Sequence, residues 1–181
     1  MSVWQCPFST YTSKKGNPMN KKILFLDMDN VIVDFMSGVS KLEQEVLDAH
    51  KEIHGESNLD EIEGVFRLMD PMPGAIESVT ELTVVFDTYV LSTSPWLNPS
   101  AWSDKVSWIQ RHFGHEPGTP LYKRLILSHN KHLAFGDFLV DDRPNHGAKE
   151  FGQQSGGEWV HFGSEGLEDW SKVTEYLKAK A

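Results

Sequence analysis

Apolar residues come along this chain in short runs that stop at charge. The first is Ile23 to Leu26 within KKILFLDMD, a run of strand length closed by Asp27 and Asp29. An unbroken apolar run of this size suits a strand buried on both faces. Helical spacing follows: Val39, Leu42, Val46, Leu47 and Ile53 predict a helix over Ser37 to His54, broken by Gly55 and ESNLD. Leu59 to Met69 predicts a second helix, ended by DPMPG, whose prolines and glycine punctuate the chain. Beyond it the pattern alternates. Helices are expected over Ala75 to Leu82, Ala101 to Phe113 (closed by Gly114) and Leu167 to Lys178. Strands are expected over Val84 to Leu91, Arg124 to Leu127, Phe138 to Val140 and Trp159 to Phe162. Short apolar strands alternating with helices predict an α/β fold, a Rossmann-like parallel sheet flanked by helices. A small helical cap is inserted after the first strand. The expected boundaries are an N-terminal arm over 1–20, a core built from 21–34 and 73–181, and the cap over 35–72.

Composition narrows the partners. Seventeen basic residues against 26 acidic ones give a formal net charge of -9, which argues against binding a nucleic-acid polymer. A small anionic substrate remains compatible, because the local field of a pocket can oppose the net charge. The single cysteine, Cys6, leaves no intrachain disulfide framework or cysteine zinc cluster and fits a reducing cytoplasm. No apolar run approaches the roughly 18 residues of a membrane span. The polar leader MSVWQCPFSTYTSKKGNP contains no signal-peptide apolar region. A homodimer is left open.

In a sheet of this kind ligands bind beyond the carboxyl ends of the strands. Three expected strands end in useful chemistry there: Asp27 and Asp29, then Ser92, Thr93 and Ser94, then Asp141 and Asp142. Carboxylates gathered so closely repel one another and resist burial unless a positive charge lies between them. Arg143 alone does not suffice, and hard oxygen ligands without paired Cys or His suit Mg²⁺. With a cation to screen it, Asp27 can attack a phosphoryl group. Asp29 can then serve the leaving oxygen as general acid and water as general base. Thr93 and Ser94 offer hydroxyl and N–H donors to phosphoryl oxygens, and Lys131 a fixed positive charge.

The sequence DMDNV, then STSP at a strand end, then a lysine, then VDDRP resembles the four motifs of the haloacid dehalogenase (HAD) superfamily. It is closer still to the 5'(3')-deoxyribonucleotidases, through DMDNVIVDF, the STSP turn followed by the helix bearing Trp108 to Gly114, and LVDDRP. The resemblance implies nucleophile Asp27, acid/base Asp29 and phosphate contacts from Thr93, Ser94 and Lys131. It implies Mg²⁺ held by Asp27, the Asp29 carbonyl and Asp142, with Asp141 orienting that site, and Phe35 packing on a nucleobase. Trp96, just after the phosphate-binding turn, is a second stacking candidate. The implied activity is hydrolysis of a nucleoside monophosphate. Position 30 departs from the family: Asn stands where Gly is usual, and Asn is the residue most tolerant of positive φ after Gly. The cap is also shorter than in the animal enzymes.

Other readings compete. The same chemistry would serve a sugar phosphate or another small phosphomonoester. A non-catalytic binding module on this fold would be expected to have lost a nucleophile or ligand, and none is missing. An EF-hand reading of DMDNVIVDFMSG fails at Val31 and at the absent sixth-position glycine. His50 and His54 have the spacing of a helical zinc pair without a third ligand, and read as a solvated face.

Overall fold

A computed structural model describes residues 21–181, so the expected arm over 1–20 lies outside the described residues. In chain order the elements are β1 (Ile23–Leu26), β2 (Val33–Asp34), α1 (Phe35–Val39), α2 (Gln44–His54), α3 (Val65–Leu68) and β3 (Asp70–Pro71). Then come α4 (Ala75–Val85), β4 (Asp87–Ser92), α5 (Pro99–Phe113), β5 (Leu125–Leu127), β6 (Phe138–Asp141), β7 (Glu158–His161) and α6 (Trp170–Lys178).

Five strands form one sheet in the order β5-β4-β1-β6-β7, every neighbouring pair parallel. Parallel strands demand cover on both faces, and β1 shows it. Leu24 and Leu26 sit in the larger core cluster with Val90, Val140 and Trp108, while Phe25 joins Leu91, Leu139 and Phe151 in a second. The chain runs outward from β1 to one edge, then returns to build the other side. The carboxyl end of β1 is therefore the switch point, where such sheets bind ligands.

Between β1 and α4 lies the helical insertion. It is entered and left through the antiparallel two-stranded ribbon of β2 and β3, pairing Val33 with Pro71 and Asp34 with Asp70. Asp34 caps α1 by accepting from the Ser37 N–H at 3.2 Å. Ser37 Oγ in turn accepts from the Asp70 N–H at 2.8 Å, tying the ribbon to the cap.

The helix expected over Ser37 to His54 is two helices, with a break across Ser40 to Glu43. Tertiary packing overrides the periodicity: α1 lies so close to α3 that a Cβ on Gly38 would meet Val65 O and Met69 Cγ at 2.8 Å. The chain then turns away into α2, which buries none of its residues. The second expected helix is likewise a 3-10 turn over Leu59–Glu61 followed by α3. The strand expected from Val84 begins later, at Asp87. Val84 and Val85 complete α4, with Val84 72% exposed at a position where β-branching was misleading.

Candidate active site

The end of β1 is drawn over β6 by the Asp27 N–H, which donates to Val140 O at 2.8 Å. The chain then folds back sharply. The N–H groups of Ile32 and Val33 both donate to Met28 O, and Asn30 takes φ 56° at the turn. That is left-handed backbone, tolerable for Asn because its short polar side chain can bond locally. Asn30 Nδ2 lies 3.4 Å from Asp142 Oδ2, within reach of the facing strand end. The fold-back keeps Asp27 and Asp29 side by side.

Asp27, Asp141 and Asp142 each present a carboxylate oxygen, and these atoms lie within 4.8 Å of one another. Lys131 comes from a 3-10 turn after β5 and is buried among them. Its Nζ is 2.5 Å from Asp141 Oδ2 and 3.0 Å from Asp27 Oδ1. Burial disfavours the ammonium, but the charges of Asp27 and Asp141 outweigh it and raise the Lys131 pKa. Asp141 is fully engaged, its Oδ1 accepting from the Arg143 N–H at 3.0 Å. Even so, burial and the charge of Asp27 push its pKa up to about 6. Burial likewise raises Asp142, against the attraction of Arg143.

Asp29 stands on the other side. Its Oδ2 accepts from Lys105 Nζ at 2.7 Å, and burial raises its pKa while Lys105 holds it down. Lys105 is wholly buried on α5 and also donates to Ser92 Oγ at 2.9 Å and Thr93 O at 2.7 Å. One ammonium thus locks Asp29 to the turn after β4. Thr93 is half-buried, with Oγ1 3.3 Å from Ser128 O. Among the described residues the buried Ser94 Oγ and Asp29 Oδ1 have no hydrogen-bond partner, and Asp27 Oδ1 and Asp142 Oδ1 have only the ionic contacts of Lys131 and Arg143. Buried polar atoms normally find partners, so orphans clustered in one place indicate a ligand-binding centre. Oxygen-only donors around unsatisfied carboxylates fit a divalent cation such as Mg²⁺.

Two openings flank Asp29. One, of about 290 Å³, has Phe35 and Phe66 as its aromatic wall, with Asn58, Leu59 and Asp60 opposite. The two rings pack 5.8 Å apart. The other, of about 410 Å³, is lined by Thr93, Trp96, His129 and His146. Arg143 and Asp60 border both. The structure therefore gathers Asp27, Asp29, Thr93, Ser94, Lys131, Asp141 and Asp142 at one sheet edge and puts Phe35 and Trp96 in separate openings. Trp96 is 78% exposed at the rim. A further groove between α5 and β5 carries no carboxylate.

Residues 60–177 match the family described as 5' nucleotidase, deoxy (pyrimidine), cytosolic type C. A Vibrio phage KVP40 protein assigned the name 5'(3')-deoxyribonucleotidase is 44% identical over 166 residues, covering 92% of this chain and 90% of its own. The chain belongs to this deoxyribonucleotidase family. The cytosolic type 5'(3')-deoxyribonucleotidase of Homo sapiens is 26% identical over 163 residues, 77% of each chain. The HAD-hydrolase YfnB of Bacillus subtilis, crystallised with magnesium, shares the fold with a TM-score of 0.59 at 12% identity, covering 87% of this chain and 99% of that one. As a deoxyribonucleotidase-family member the chain is a hydrolase of phosphoric monoesters on the HAD fold.

Lys105 escaped the sequence reading, although a signal was present. It falls one helical turn from both Ala101 and Ile109, on the apolar face of α5, where a lysine needs a buried partner. Phe66 was likewise hidden in what read as a continuous helix.

Proposed function

We propose that the chain hydrolyses nucleoside monophosphates, deoxyribonucleotides foremost, to nucleoside and phosphate through an aspartyl-phosphate on Asp27, with Mg²⁺ as cofactor. The observation that carries this reading is the pairing of Asp27 with a buried, Lys105-held Asp29 at the mouth of an aromatic-walled pocket. Asp27 and Asp142, with the Asp29 carbonyl, would hold the cation. When bound, it screens these carboxylates from an incoming phosphate and draws charge from the phosphoryl oxygens.

An Asp27 oxygen attacks phosphorus as the bond to the ester oxygen breaks, and Asp29 supplies the proton for that leaving oxygen, burial favouring its acid form while Lys105 opposes it. The resulting Asp29 carboxylate, stabilised by Lys105, takes a proton from water as the water attacks the aspartyl-phosphate. Phosphate leaves and the Asp27 carboxylate is restored. Ser94 Oγ and the backbone of the turn can donate to the phosphoryl oxygens, while Lys131 keeps positive charge beside Asp27. Asp141 positions Lys131 and the turn at Arg143. The base packs on Phe35, and Trp96 offers a rim surface on the other side.

The polar wall of Asn58 and Asp60 also suits a hydroxyl-rich sugar phosphate, the second reading. No helix among the described residues is long and apolar enough to cross a membrane. The likeness to the human relative named as the cytosolic type supports a cytoplasmic place for the protein.

Phosphate release is to be measured on deoxy- and ribonucleoside monophosphates, sugar phosphates and an aryl phosphate, with Mg²⁺ and with chelator. The expected result is preference for deoxynucleotides and loss of turnover on chelation. Sugar phosphates turned over as well as nucleotides would overturn the substrate assignment, and undiminished turnover with chelator would overturn the cation's role.

A further inference from the structure

A single buried amide joins the cap wall of the nucleoside pocket to the phosphate-binding turn. Asn98, just after that turn, is 2% exposed. Its Nδ2 donates to Asp60 O and Ile62 O, each at 2.9 Å. Its Oδ1 accepts from Ser100 Oγ at 2.7 Å, and Ser100 Oγ accepts from the Gly64 N–H at 3.0 Å. The donors and the acceptor of the amide are thus all engaged, a condition under which a buried polar group fixes geometry strongly. Asn98 stands at the N-cap of α5, yet its side chain makes no capping bond there. Its hydrogen bonds reach across to the cap.

The other side-chain links from α5 to the cap lie further along. Trp108 Nε1 donates to Met69 O at 2.8 Å, and Arg67 pairs with Asp104 at 3.1 Å. Asn98 and Ser100 hold the near end, Asp60 to Gly64, and Asp60 borders both openings beside Asp29.

We propose that Asn98 is a positioning residue for nucleotide selection. It clasps Asp60–Gly64 to the phosphate-binding turn, so that Asn98, with Ser100 beside it, sets the position of the polar Asp60 wall of the nucleotide opening relative to the reacting phosphoryl group. This rests on the nucleotidase reading above. Substituting Asn98 releases two carbonyls and the Ser100 hydroxyl. The backbone of the turn keeps its own bonds, from the Asn98 N–H to Pro95 O and from the Ala101 N–H to Asn98 O. Loss of the clasp should therefore reach substrates that use the wall and spare those that do not.

The test is steady-state kinetics of Asn98→Ala, Asn98→Asp and Ser100→Ala with a deoxynucleoside monophosphate and with an aryl phosphate, each variant's melting curve recorded alongside. For Asn98→Ala the nucleotide KM should rise about tenfold, the equivalent of one hydrogen bond lost. Its nucleotide kcat and its kcat/KM for the aryl phosphate should stay within about twofold. Asn98→Asp should raise the nucleotide KM at least as far, because a carboxylate has no N–H to give the two carbonyls and sets its buried charge against their oxygens. Ser100→Ala, at a half-buried position, should move the nucleotide KM in the same direction by less, and it decides the matter alone if the Asn98 variants do not fold. Equal losses on both substrates, or no change on either, would overturn the clasp. If the unsubstituted protein shows no preference for the nucleotide, it is the nucleotidase reading that falls; if Asn98→Ala keeps that preference intact, only the clasp does.

Discussion

Replacing Lys105 by methionine removes the buried ammonium while nearly conserving its bulk. The Nζ–Oδ2 distance to Asp29 is 2.7 Å, and at an effective dielectric near 20 such a pair attracts by about 6 kcal/mol. Dehydrating the two ions takes back much of that, but deleting one partner does not return the dehydration of the other. Breaking a buried pair in this way costs about 3–5 kcal/mol. Asp29 is left beside Asp27 with its compensating charge gone, and Ser92 Oγ and Thr93 O lose a donor. With a urea m-value of roughly 2 kcal/mol/M, a loss of about 4 kcal/mol lowers the unfolding midpoint by about 2 M. Adding Asp29→Asn should recover about 2 kcal/mol, since the stranded charge is then absent. Turnover of Lys105→Met should also fall, and its pH–rate profile should shift to alkaline pH, because Lys105 holds the Asp29 pKa down. The assay is urea unfolding of the two single variants and the double variant. A Lys105→Met loss below about 1 kcal/mol, or strictly additive losses in the double variant, would refute the electrostatic account.

Phe35→Ala should weaken nucleotides about tenfold while leaving an aryl phosphate nearly unchanged, the loss of one stacked ring; equal losses in paired KM measurements would reduce Phe35 to packing. Asp29, Asp141 and Asp142 all have raised pKa values, Asp141 at about 6. The folded state therefore binds protons that the unfolded chain has released, so the Asp141 contribution to stability grows as pH falls from about 6 toward 4 and is lost as pH rises through 6, with Asp29 and Asp142 acting in the same direction. Mg²⁺ needs the Asp27 and Asp142 carboxylates deprotonated, so it should raise the melting temperature clearly near pH 7.5 and little near pH 5; equal shifts at both would contradict the carboxylate site. Gly38→Ala should cost about 1–3 kcal/mol in urea unfolding, because the new methyl group meets Val65 O; a neutral result would show that α1 and α3 can separate freely.

The sheet was legible because buried parallel strands announce themselves: ILFL and FLV are apolar runs with charge at their ends. The carboxylates gathered at the candidate site were legible for the same reason, being the charges that end those runs. The helical insertion was harder. Val39, Leu42 and Val46 keep helical spacing across a break that only the packing of Gly38 against α3 explains. The two-residue strands of the ribbon are too short for any period to show. Lys105 and Asn98 act across long sequence separations, on Asp29 and on Asp60; the apolar face around Lys105 marks it as buried but not its partner, and nothing near Asn98 in the chain marks its role.

The ribbon of β2 and β3 has a consequence for how such proteins diversify. Because the chain departs and returns through the paired rungs Val33–Pro71 and Asp34–Asp70, everything between them is an exchangeable part on a constant chassis. Its length can change without disturbing the register of the parallel sheet, because the ribbon is a separate sheet from the five parallel strands. A transplanted insertion would still have to meet its docking partners on α5, the amide of Asn98, the carboxylate of Asp104 and the indole of Trp108. These positions, with Ser100 and Arg111, rather than the junction itself, are where compatibility between donor and recipient would be decided.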